Sequence, residues 1–201
     1  MFSVIIPAYN EESVIKSTIE ELKKIFIETG FVDAEIILVD DGSSDKTSEA
    51  SEKAGAVTIR HPHNIGYGRS LKDGILAAKH DTIVITDADG TYPLEMIPAL
   101  LKEYKKGFNM VVGARQGENY DESLKKKILR LILKKLVEFT AGRKIPDINS
   151  GLRVFSREEI LPYFSKLCDT FSFTTSLTLA YMMNGKFVGY IPINYNKREG
   201  K

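Results

Sequence analysis

The chain has 201 residues, 43% of them hydrophobic and 27% charged, and its formal net charge is +1. Such a composition can build one globular domain with a real core, and the near-neutral charge argues against nucleic-acid binding. The single cysteine, Cys168, excludes an internal disulfide framework and a cysteine-rich zinc site, and it fits a reducing compartment. The sequence shows neither a secretory signal pattern nor an apolar run of membrane-spanning length, so we expect a soluble chain.

Strand-like and helix-like patterns alternate from the N-terminus. The first strand covers Phe2–Ile6, and we expect it to end at Pro7 because a proline removes a ladder hydrogen bond from a central strand. The elements predicted after it are a helix at Ser13–Thr29 closed by Gly30, a strand at Glu35–Val39, a helix at Lys46–Ala54 capped by Ser44 or Asp45, a strand at Val57–Ile59, a helix at Ser70–Lys79, a strand at Thr82–Thr86, a helix at Glu95–Lys106 and a strand at Asn109–Gly113.

The second half predicts helices at Asp121–Gly142 and Thr174–Asn184 and a late strand at Lys186–Ile191. Around the second of these helices we expect four core aromatics, Phe171, Phe173, Tyr181 and Phe187, and the alternative is that some of them shape a lipid groove. The histidines have no metal-site spacing and are expected to be loop or surface residues: His61, His63 and His80. The strands are continuous apolar runs that alternate with helices, which indicates an α/β fold with a doubly wound, mostly parallel sheet.

Polar residues follow most of the predicted strands. They are Tyr9, Asn10 and Glu11, then Asp40 and Asp41, then His61 to Asn64, then Asp87 and Asp89, and finally Arg115. Ligands of such sheets bind outside the carboxyl ends of the strands, so we expect these side chains to converge.

Asp87 and Asp89 stand one residue apart after a buried strand. In extended backbone, side chains at i and i+2 point the same way, and two converging carboxylates repel each other unless a cation lies between them. Oxygen ligands completed by substrate phosphates suit Mg²⁺ or Mn²⁺. The alternative is a plain Asp-Gly turn at Asp89-Gly90.

The stretch from Asp40 to Ser43 has two readings as well. It can form a turn leading into the next helix, or a carboxylate there can accept from a nucleobase or ribose. The glycine fingerprint of dinucleotide-binding folds is missing, because Gly66 and Gly68 lack a third glycine at the right spacing.

Six motifs in order carry a resemblance that spans essentially the whole chain. They are Pro7 to Glu11 (PAYNE), Val39 to Asp45 (VDDGSSD), Asn64 to Gly68 (NIGYG), Asp87 to Gly90 (DADG), and Gly113 to Arg115 (GAR) with Asp147 to Gly151 (DINSG). The chain resembles a family 2 glycosyltransferase, closest to the dolichyl-phosphate mannosyltransferase and polyprenyl-phosphate glycosyltransferase group. The resemblance implies a GT-A fold, with a Rossmann-like central sheet flanked by helices and a smaller acceptor-side region. It implies one domain over 1–201, divided into a nucleotide-sugar half, 1–115, and an acceptor half, 116–201.

The resemblance also implies residue roles. The nucleotide-binding residues would be Pro7, Tyr9, Glu11, Val39, Asp41, Asp87 and Ala88. Asp87 and Asp89 would hold the metal, with Asp89, Arg115 and Asp147 as the catalytic residues. Arg115 and Ser150 would meet the acceptor phosphate, and Arg198 and Lys201 would close over the diphosphate.

The implied reaction is metal-dependent, inverting transfer of a hexose from a GDP- or UDP-linked sugar to a polyprenyl phosphate, with Mg²⁺ or Mn²⁺ as cofactor. A saccharide acceptor is an alternative, and there Asp147 would be the general base. Further alternatives are a non-catalytic nucleotide-sugar-binding module and, less favoured, a nucleotidyltransferase. The chain has no Trp, which argues against processive polysaccharide synthases, and Thr91 stands where some relatives have Gln.

The segment from Asp121 to Gly142 combines a wide apolar face with clustered Lys and Arg. This pattern is typical of a helix lying in a membrane interface, and equally of a core helix whose lysines face water. The polyprenyl-phosphate resemblance favours peripheral membrane contact through Leu124–Phe139, at the cytoplasmic face of a membrane.

Overall fold

A computed structural model describes residues 1–116, 135–140 and 142–196 of the chain. The strands are β1 (Ser3–Ala8), β2 (Glu35–Asp40), β3 (Val57–Arg60), β4 (Thr82–Ile85), β5 (Met110–Gln116), β6 (Arg153–Ser156) and β7 (Val188–Asn194). The helices are α1 (Ile15–Glu28), α2 (Thr47–Lys53), α3 (Tyr67–Ala77), α4 (Ile97–Tyr104), α5 (Arg157–Ile160) and α6 (Phe173–Met183), with short 3-10 turns at Leu94–Met96 and Leu161–Lys166. Residues 135–140 are also helical.

The seven strands form one sheet in the order β3-β2-β1-β4-β6-β5-β7. Every neighbouring pair is parallel except those of β6, which runs antiparallel to both β4 and β5. The predicted α/β fold with a mostly parallel sheet is confirmed. Strand β6 was not predicted, because it is only four residues long and begins with a charged residue, Arg153.

Strand β1 continues through Pro7, so the prediction that it ends there was wrong. Ile5 O accepts from Thr86 N on the β4 side, and Ala8 O accepts from Asp41 N on the β2 side. Because successive residues direct their backbone groups to alternate sides, Pro7 faces the β4 side. The pairing with β4 ends at Ile5, so the proline removes no ladder bond.

Apolar side chains cover both faces of the sheet. Helix α1 buries an i, i+4, i+7 row, Ile15, Ile19 and Leu22, in one core together with α4. Helices α3 and α6 pack in the other core, where α6 contributes Phe173 and Tyr181. Covering on both faces explains why the strands read as continuous apolar runs.

Two of the four predicted core aromatics are exposed instead. Phe173 and Tyr181 are buried as expected, whereas Phe171 and Phe187 are 81% and 66% exposed. Phe171 lies in the loop before α6, and Phe187 immediately precedes β7.

Only the end of the predicted basic helix lies within the described residues. There Val137 is buried in a core, while Leu136 and Phe139 are 60% and 87% exposed. Within the described parts of the chain, we find no helix with the length and apolarity needed to cross a bilayer.

Candidate active site

The carboxyl ends of β1, β2 and β4 surround a cavity of about 460 Å³. Its lining combines strand ends with residues of α3 and of the loop before α6: Pro7, Ala8, Tyr9, Glu11, Asp41, Asn64, Gly66, Tyr67, Ser70, Asp87, Ala88, Asp89, Thr170 and Phe171. The expected convergence of polar residues at this edge is therefore present after β1, β2, β3 and β4, and the residue that follows β3 in the lining is Asn64.

The structure divides the predicted site residues into three groups. Seven line the cavity: Pro7, Tyr9, Glu11, Asp41, Asp87, Ala88 and Asp89. Four lie outside its lining: Val39, Arg115, Asp147 and Ser150. Arg198 and Lys201 fall outside the described residues.

Asp87 and Asp89 are held by neighbours of this chain. Tyr67 Oη donates to Asp87 Oδ1 at 2.9 Å. Thr91 donates to Asp89 Oδ1 twice, from its backbone N at 3.2 Å and its Oγ1 at 2.6 Å. A Cβ added at Gly151 would lie 3.0 Å from Asp87 Oδ1, so this glycine allows the carboxylate its position. Both aspartates thus face one cavity in fixed orientations.

The donor set at this place fits a hard divalent cation. The two carboxylates supply oxygen ligands of the kind that Mg²⁺ and Mn²⁺ prefer. The described residues contain no group of three or more His, Cys, Asp or Glu side chains that could hold a metal by themselves. A cation held here would therefore take its remaining ligands from a substrate or water, which is the usual arrangement for Mg²⁺ with phosphates.

The carboxylates of Asp40 and Asp41 have different hydrogen-bond partners and different places in the structure. Asp40 is the buried last residue of β2, and its carboxylate accepts from Ser43 N and Ser48 Oγ. Asp41 reaches the cavity and accepts from Ile65 N at 2.9 Å and Gly66 N at 3.0 Å. Burial alone would raise the pKa of Asp41, but hydrogen bonds from Ile65, His61 and Gly66 outweigh it and lower the pKa below its ordinary value. Asp41 is thus a fixed, ionised carboxylate at the end of β2.

Arg115 and Asp147 form a two-pronged ion pair. Arg115 Nε and Nη2 donate to the two carboxylate oxygens of Asp147 at 2.7 and 2.9 Å, and both side chains are about nine-tenths buried. Asp147 also accepts from the backbone N–H groups of Arg115 and Asn149. Burial would raise the pKa of Asp147, but the Arg115 hydrogen bond and charge outweigh it and lower the pKa. Asp147 is consequently a weak base in this structure.

The segment that contains Ser150 is pinned by a buried arginine. Arg153 donates from Nε to Ser150 O at 2.6 Å, from Nη2 to Ile148 O at 3.0 Å and from Nη1 to Thr178 Oγ1 at 2.7 Å. Burial lowers the pKa of Arg153, which is fully enclosed. Ser150 is buried as well, and its Oγ has no hydrogen-bond partner among the described residues. The segment therefore has a defined backbone but an unsatisfied hydroxyl.

Seven residues of the cavity lining were not among the predicted site residues: Ala8, Asn64, Gly66, Tyr67, Ser70, Thr170 and Phe171. His61 lies in the loop after β3, as expected, but it is buried against Asp41 rather than exposed at the surface, with Nδ1 3.0 Å from Asp41 Oδ1. Phe171 stacks on Tyr67 with ring centroids 5.3 Å apart, and Thr170 lies beside it in the cavity wall. The glycine spacing around Tyr67 was a usable signal for that residue, whereas no local pattern marks Thr170 or Phe171.

Solved structures share this fold across the chain. A glucosyl-3-phosphoglycerate synthase from Mycobacterium tuberculosis in complex with UDP matches at a TM-score of 0.79 with 21% identity, covering 100% of this chain and 73% of that one. A structure of the same synthase with Mn²⁺, UDP and glucosyl-3-phosphoglycerate matches at 0.78 with 22% identity, covering 98% and 72%. At these identities the likeness establishes the fold, which is that of the expected GT-A glycosyltransferases.

Sequence relatives are closer. An uncharacterized protein of Methanocaldococcus jannaschii is 36% identical over 77% of this chain and 64% of its own length. A dolichyl-phosphate hexose transferase of Haloferax volcanii is 28% identical over 99% of this chain and 84% of its own. An undecaprenyl-phosphate 4-deoxy-4-formamido-L-arabinose transferase of Enterobacter sp. strain 638 is 34% identical over 79% of this chain and 49% of its own. The chain thus spans less than two thirds of two of these three relatives.

The family assignment rests on a match over most of the chain. The model of the family described as "Glycosyl transferase family 2" matches residues 3–161, which include β1 to β6 and every cavity residue except Thr170 and Phe171. Two of these relatives are named as transferases that act on polyprenyl phosphates, which is the group that the sequence motifs resemble. The chain therefore belongs to glycosyl transferase family 2.

Proposed function

We propose that this glycosyltransferase moves a hexosyl unit from a nucleoside diphosphate sugar, GDP- or UDP-linked, to a polyprenyl phosphate with inversion at the anomeric carbon. In this proposal the chain is one domain. Residues 1–115 hold the donor, and residues 116–201 receive the acceptor.

The observation that carries the proposal is the spacing of the carboxylates around one cavity. Asp41 follows β2, while Asp87 and Asp89 follow β4, and β1 lies between these two strands. Neighbouring strands lie about 4.8 Å apart, so the two strand ends are separated by about 10 Å. That separation suits a nucleoside diphosphate whose base meets Asp41 and whose phosphates meet Asp87 and Asp89.

The proposed donor contacts follow from the same lining. Pro7, Tyr9, Glu11, Asp41 and Ala88 border the space between the two strand ends. Val39 is wholly buried and pairs with Pro7 in the sheet, so its part in the donor site is to support the β1 end from below. Arg198 and Lys201 remain proposed contacts to the diphosphate.

Asp87 and Asp89 are the residues that would hold Mg²⁺ or Mn²⁺, which supplies positive charge for the departing diphosphate. In the transfer, an oxygen of the acceptor phosphate attacks the anomeric carbon from the face opposite the nucleoside diphosphate. A bond from that oxygen to the carbon forms, the bond to the β-phosphate oxygen breaks, and the electron pair leaves with the nucleoside diphosphate.

The state of Asp147 supports a phosphate acceptor over a saccharide. A hydroxyl acceptor needs a general base whose pKa lies near the operating pH, but the pKa of Asp147 is lowered by its pair with Arg115. An acceptor phosphate is already anionic and needs no base. We propose that Arg115 and Ser150 orient it, with Arg115 reaching it by partial exchange of its Asp147 contacts.

The relatives add independent support. According to their names, the dolichyl-phosphate and undecaprenyl-phosphate transferases act on lipid-linked phosphates. Exposed Leu136 and Phe139, which lie on the helical residues 135–140, suit peripheral contact with the membrane that holds such an acceptor. A non-catalytic nucleotide-sugar-binding module is the remaining alternative, and it would bind the donor without turnover.

Nucleoside diphosphate release tests the proposal directly. UDP-glucose or GDP-mannose is incubated with Mn²⁺ and a short-chain polyprenyl phosphate, with the wild-type chain, with Asp89→Asn, and with the exposed control Asp33→Asn. We expect release that needs both the metal and the lipid phosphate, is lost in Asp89→Asn and persists in Asp33→Asn. Release that requires a saccharide acceptor, or donor binding without any release, would contradict the proposal.

A further inference from the structure

His61 stands behind Asp41 in the wall of the donor site. The histidine is buried, and its Nδ1 lies 3.0 Å from Asp41 Oδ1. On the other side of the ring, Nε2 lies 3.3 Å from Asp73 Oδ2, and Asp73 is itself held by Arg69 Nε at 2.9 Å. An ionised carboxylate only accepts hydrogen bonds, so the Nδ1 atom facing Asp41 carries the proton.

The hydrogen bonds of Asp41 divide unequally between its two oxygens. Oδ1 accepts from His61 Nδ1 and from Ile65 N at 2.9 Å. Within the described residues, Oδ2 accepts from Gly66 N alone, at 3.0 Å. Each carboxylate oxygen has two lone-pair directions, so Oδ1 is filled and Oδ2 keeps one acceptor position.

A single remaining acceptor distinguishes between nucleobases. Guanine presents two adjacent donors, N1–H and the N2 amino group, which pair with a carboxylate only when both oxygens are available. Uracil presents one donor, N3–H, between two carbonyl acceptors, and a single oxygen satisfies it. A guanine docked here would leave one buried N–H without a partner, which weakens binding about tenfold.

We infer that His61 is a positioning residue that selects a uracil nucleotide over a guanine nucleotide, by occupying the Asp41 oxygen that guanine's second donor would need. The inference rests on the proposed donor site, in which the base meets Asp41. It narrows the donor from a UDP- or GDP-linked sugar to a UDP-linked one.

The first experiment compares three nucleotides on the wild-type chain. Calorimetric titration with Mn²⁺ measures the affinities of UDP, GDP and IDP, the last carrying the guanine N1–H but no N2 amino group. We expect UDP to bind at least about tenfold more tightly than GDP. We also expect IDP to bind at least as tightly as GDP, a comparison in which the size of the ring system is constant.

The second experiment changes the occupancy of Oδ1. His61→Leu removes the donor, whereas His61→Asn keeps an N–H donor near the position of Nδ1 and serves as the matched control. We expect the affinity for GDP to rise relative to that for IDP in His61→Leu, because Oδ1 regains an acceptor position. In His61→Asn we expect the wild-type order of nucleotide affinities to persist. A purely structural role would weaken all three nucleotides alike. Thermal unfolding of both variants checks that they are folded.

The outcomes separate this inference from the donor site itself. If GDP binds as tightly as UDP, or more tightly than IDP, in the wild-type chain, the inference is wrong and the donor site stands. If a folded His61→Leu keeps the wild-type order of GDP and IDP, the role of His61 is wrong. If neither UDP nor GDP binds in the presence of Mn²⁺, the proposed donor site fails and the inference fails with it. The wild-type comparison decides the matter even if His61→Leu does not fold.

Discussion

At the scale of single residues, the carboxylates of the site are held in place before any substrate arrives. Asp41 takes hydrogen bonds from two backbone N–H groups and a histidine, and Asp89 takes two from Thr91. Groups that are already oriented need little reorganisation when a charged ligand binds or when charge develops during a reaction. The neighbours of these carboxylates are therefore as important to the site as the carboxylates.

Thr91 offers the clearest test of this idea. Its Oγ1 donates to Asp89 Oδ1 at 2.6 Å, and the side chain is buried. Thr91→Val keeps the shape but removes the hydroxyl. We expect the apparent affinity for Mn²⁺ in the presence of UDP to fall about tenfold, the lower end of the range for residues that orient metal ligands.

Thr91→Ser is the matched control, because it retains the donor to Asp89. Titration calorimetry of Mn²⁺ against both variants at saturating UDP supplies the measurement. Equal Mn²⁺ affinity in the valine and serine variants would show that this hydrogen bond does not orient Asp89.

The sequence could predict the site residues that are marked by the residues next to them in the chain. Asp41, Asp87 and Asp89 stand where apolar strands stop, and the period-2 geometry of extended backbone placed them at one edge. His61 was expected at this edge because it follows a strand, but its contact with Asp41, twenty residues away, could not be predicted because it depends on tertiary packing. Thr170 and Phe171 reach the cavity only through tertiary packing.

At the scale of elements, the start of α3 is joined to the loop before α6 by close backbone contact. A Cβ placed on Gly68 would lie 2.4 Å from Cys168 O and 2.9 Å from Thr170 O. Lys72 adds a side-chain bond from Nζ to Leu167 O at 2.7 Å. This contact brings the Thr170 and Phe171 wall against Tyr67 and so closes one side of the cavity.

Gly68→Ala tests whether that wall matters for the donor. The added methyl group would clash with backbone atoms, which cannot rotate away, so the loop must shift. We expect UDP affinity to fall several-fold, and proteolysis of the loop to become faster.

Lys72→Met serves as the comparison, since it removes two bonds to the same loop, to Leu167 O and Asp169 Oδ1, without any clash. Its UDP affinity should fall less than that of Gly68→Ala. Unchanged UDP binding in a folded Gly68→Ala variant would mean that the loop does not form part of the donor site.

Strands and helices were predicted correctly where the hydrophobic period and the residue composition indicate the same element. Six of the seven strands and the long helices were expected, with ends within a few residues of those observed. Strand β6 was not predicted because its apolar pattern is interrupted by Arg153. The charge of Arg153 is buried against backbone carbonyls rather than exposed. The prediction at Pro7 was wrong because a proline in a strand removes a ladder hydrogen bond only where it faces a strand that is paired at that position.

At the scale of the whole molecule, one surface combines apolar and basic side chains. Leu136 and Phe139 are exposed on the helical residues 135–140, beside an exposed Lys135. Aromatic and aliphatic side chains flanked by lysine insert into the headgroup region of a bilayer, and anionic lipids add electrostatic attraction.

Substituting both apolar residues tests this surface. We expect Leu136→Ser with Phe139→Ser to weaken cosedimentation with phosphatidylglycerol-containing vesicles about tenfold, from the apolar area that no longer inserts. Binding of the wild-type chain should also weaken as salt is raised, because screening reduces the attraction of lysine to anionic lipid.

Ile27→Ser is the control, because Ile27 is an exposed apolar residue of α1 at a distance from the basic helix in the sequence. It should leave vesicle binding unchanged. Equal binding by the double variant and the wild-type chain would exclude these two side chains from the membrane contact.

The antiparallel insertion of β6 has a consequence for how the protein is made on the ribosome. Strands β1 to β4 can pair as soon as they emerge, but β4 has no second neighbour until β6 is synthesised. During that interval the apolar edge of a nascent four-stranded sheet is open to pairing with other chains. Slowed elongation between Ile85 and Arg153 should therefore increase misassembly, and a chaperone that shields sheet edges should be needed most over that stretch.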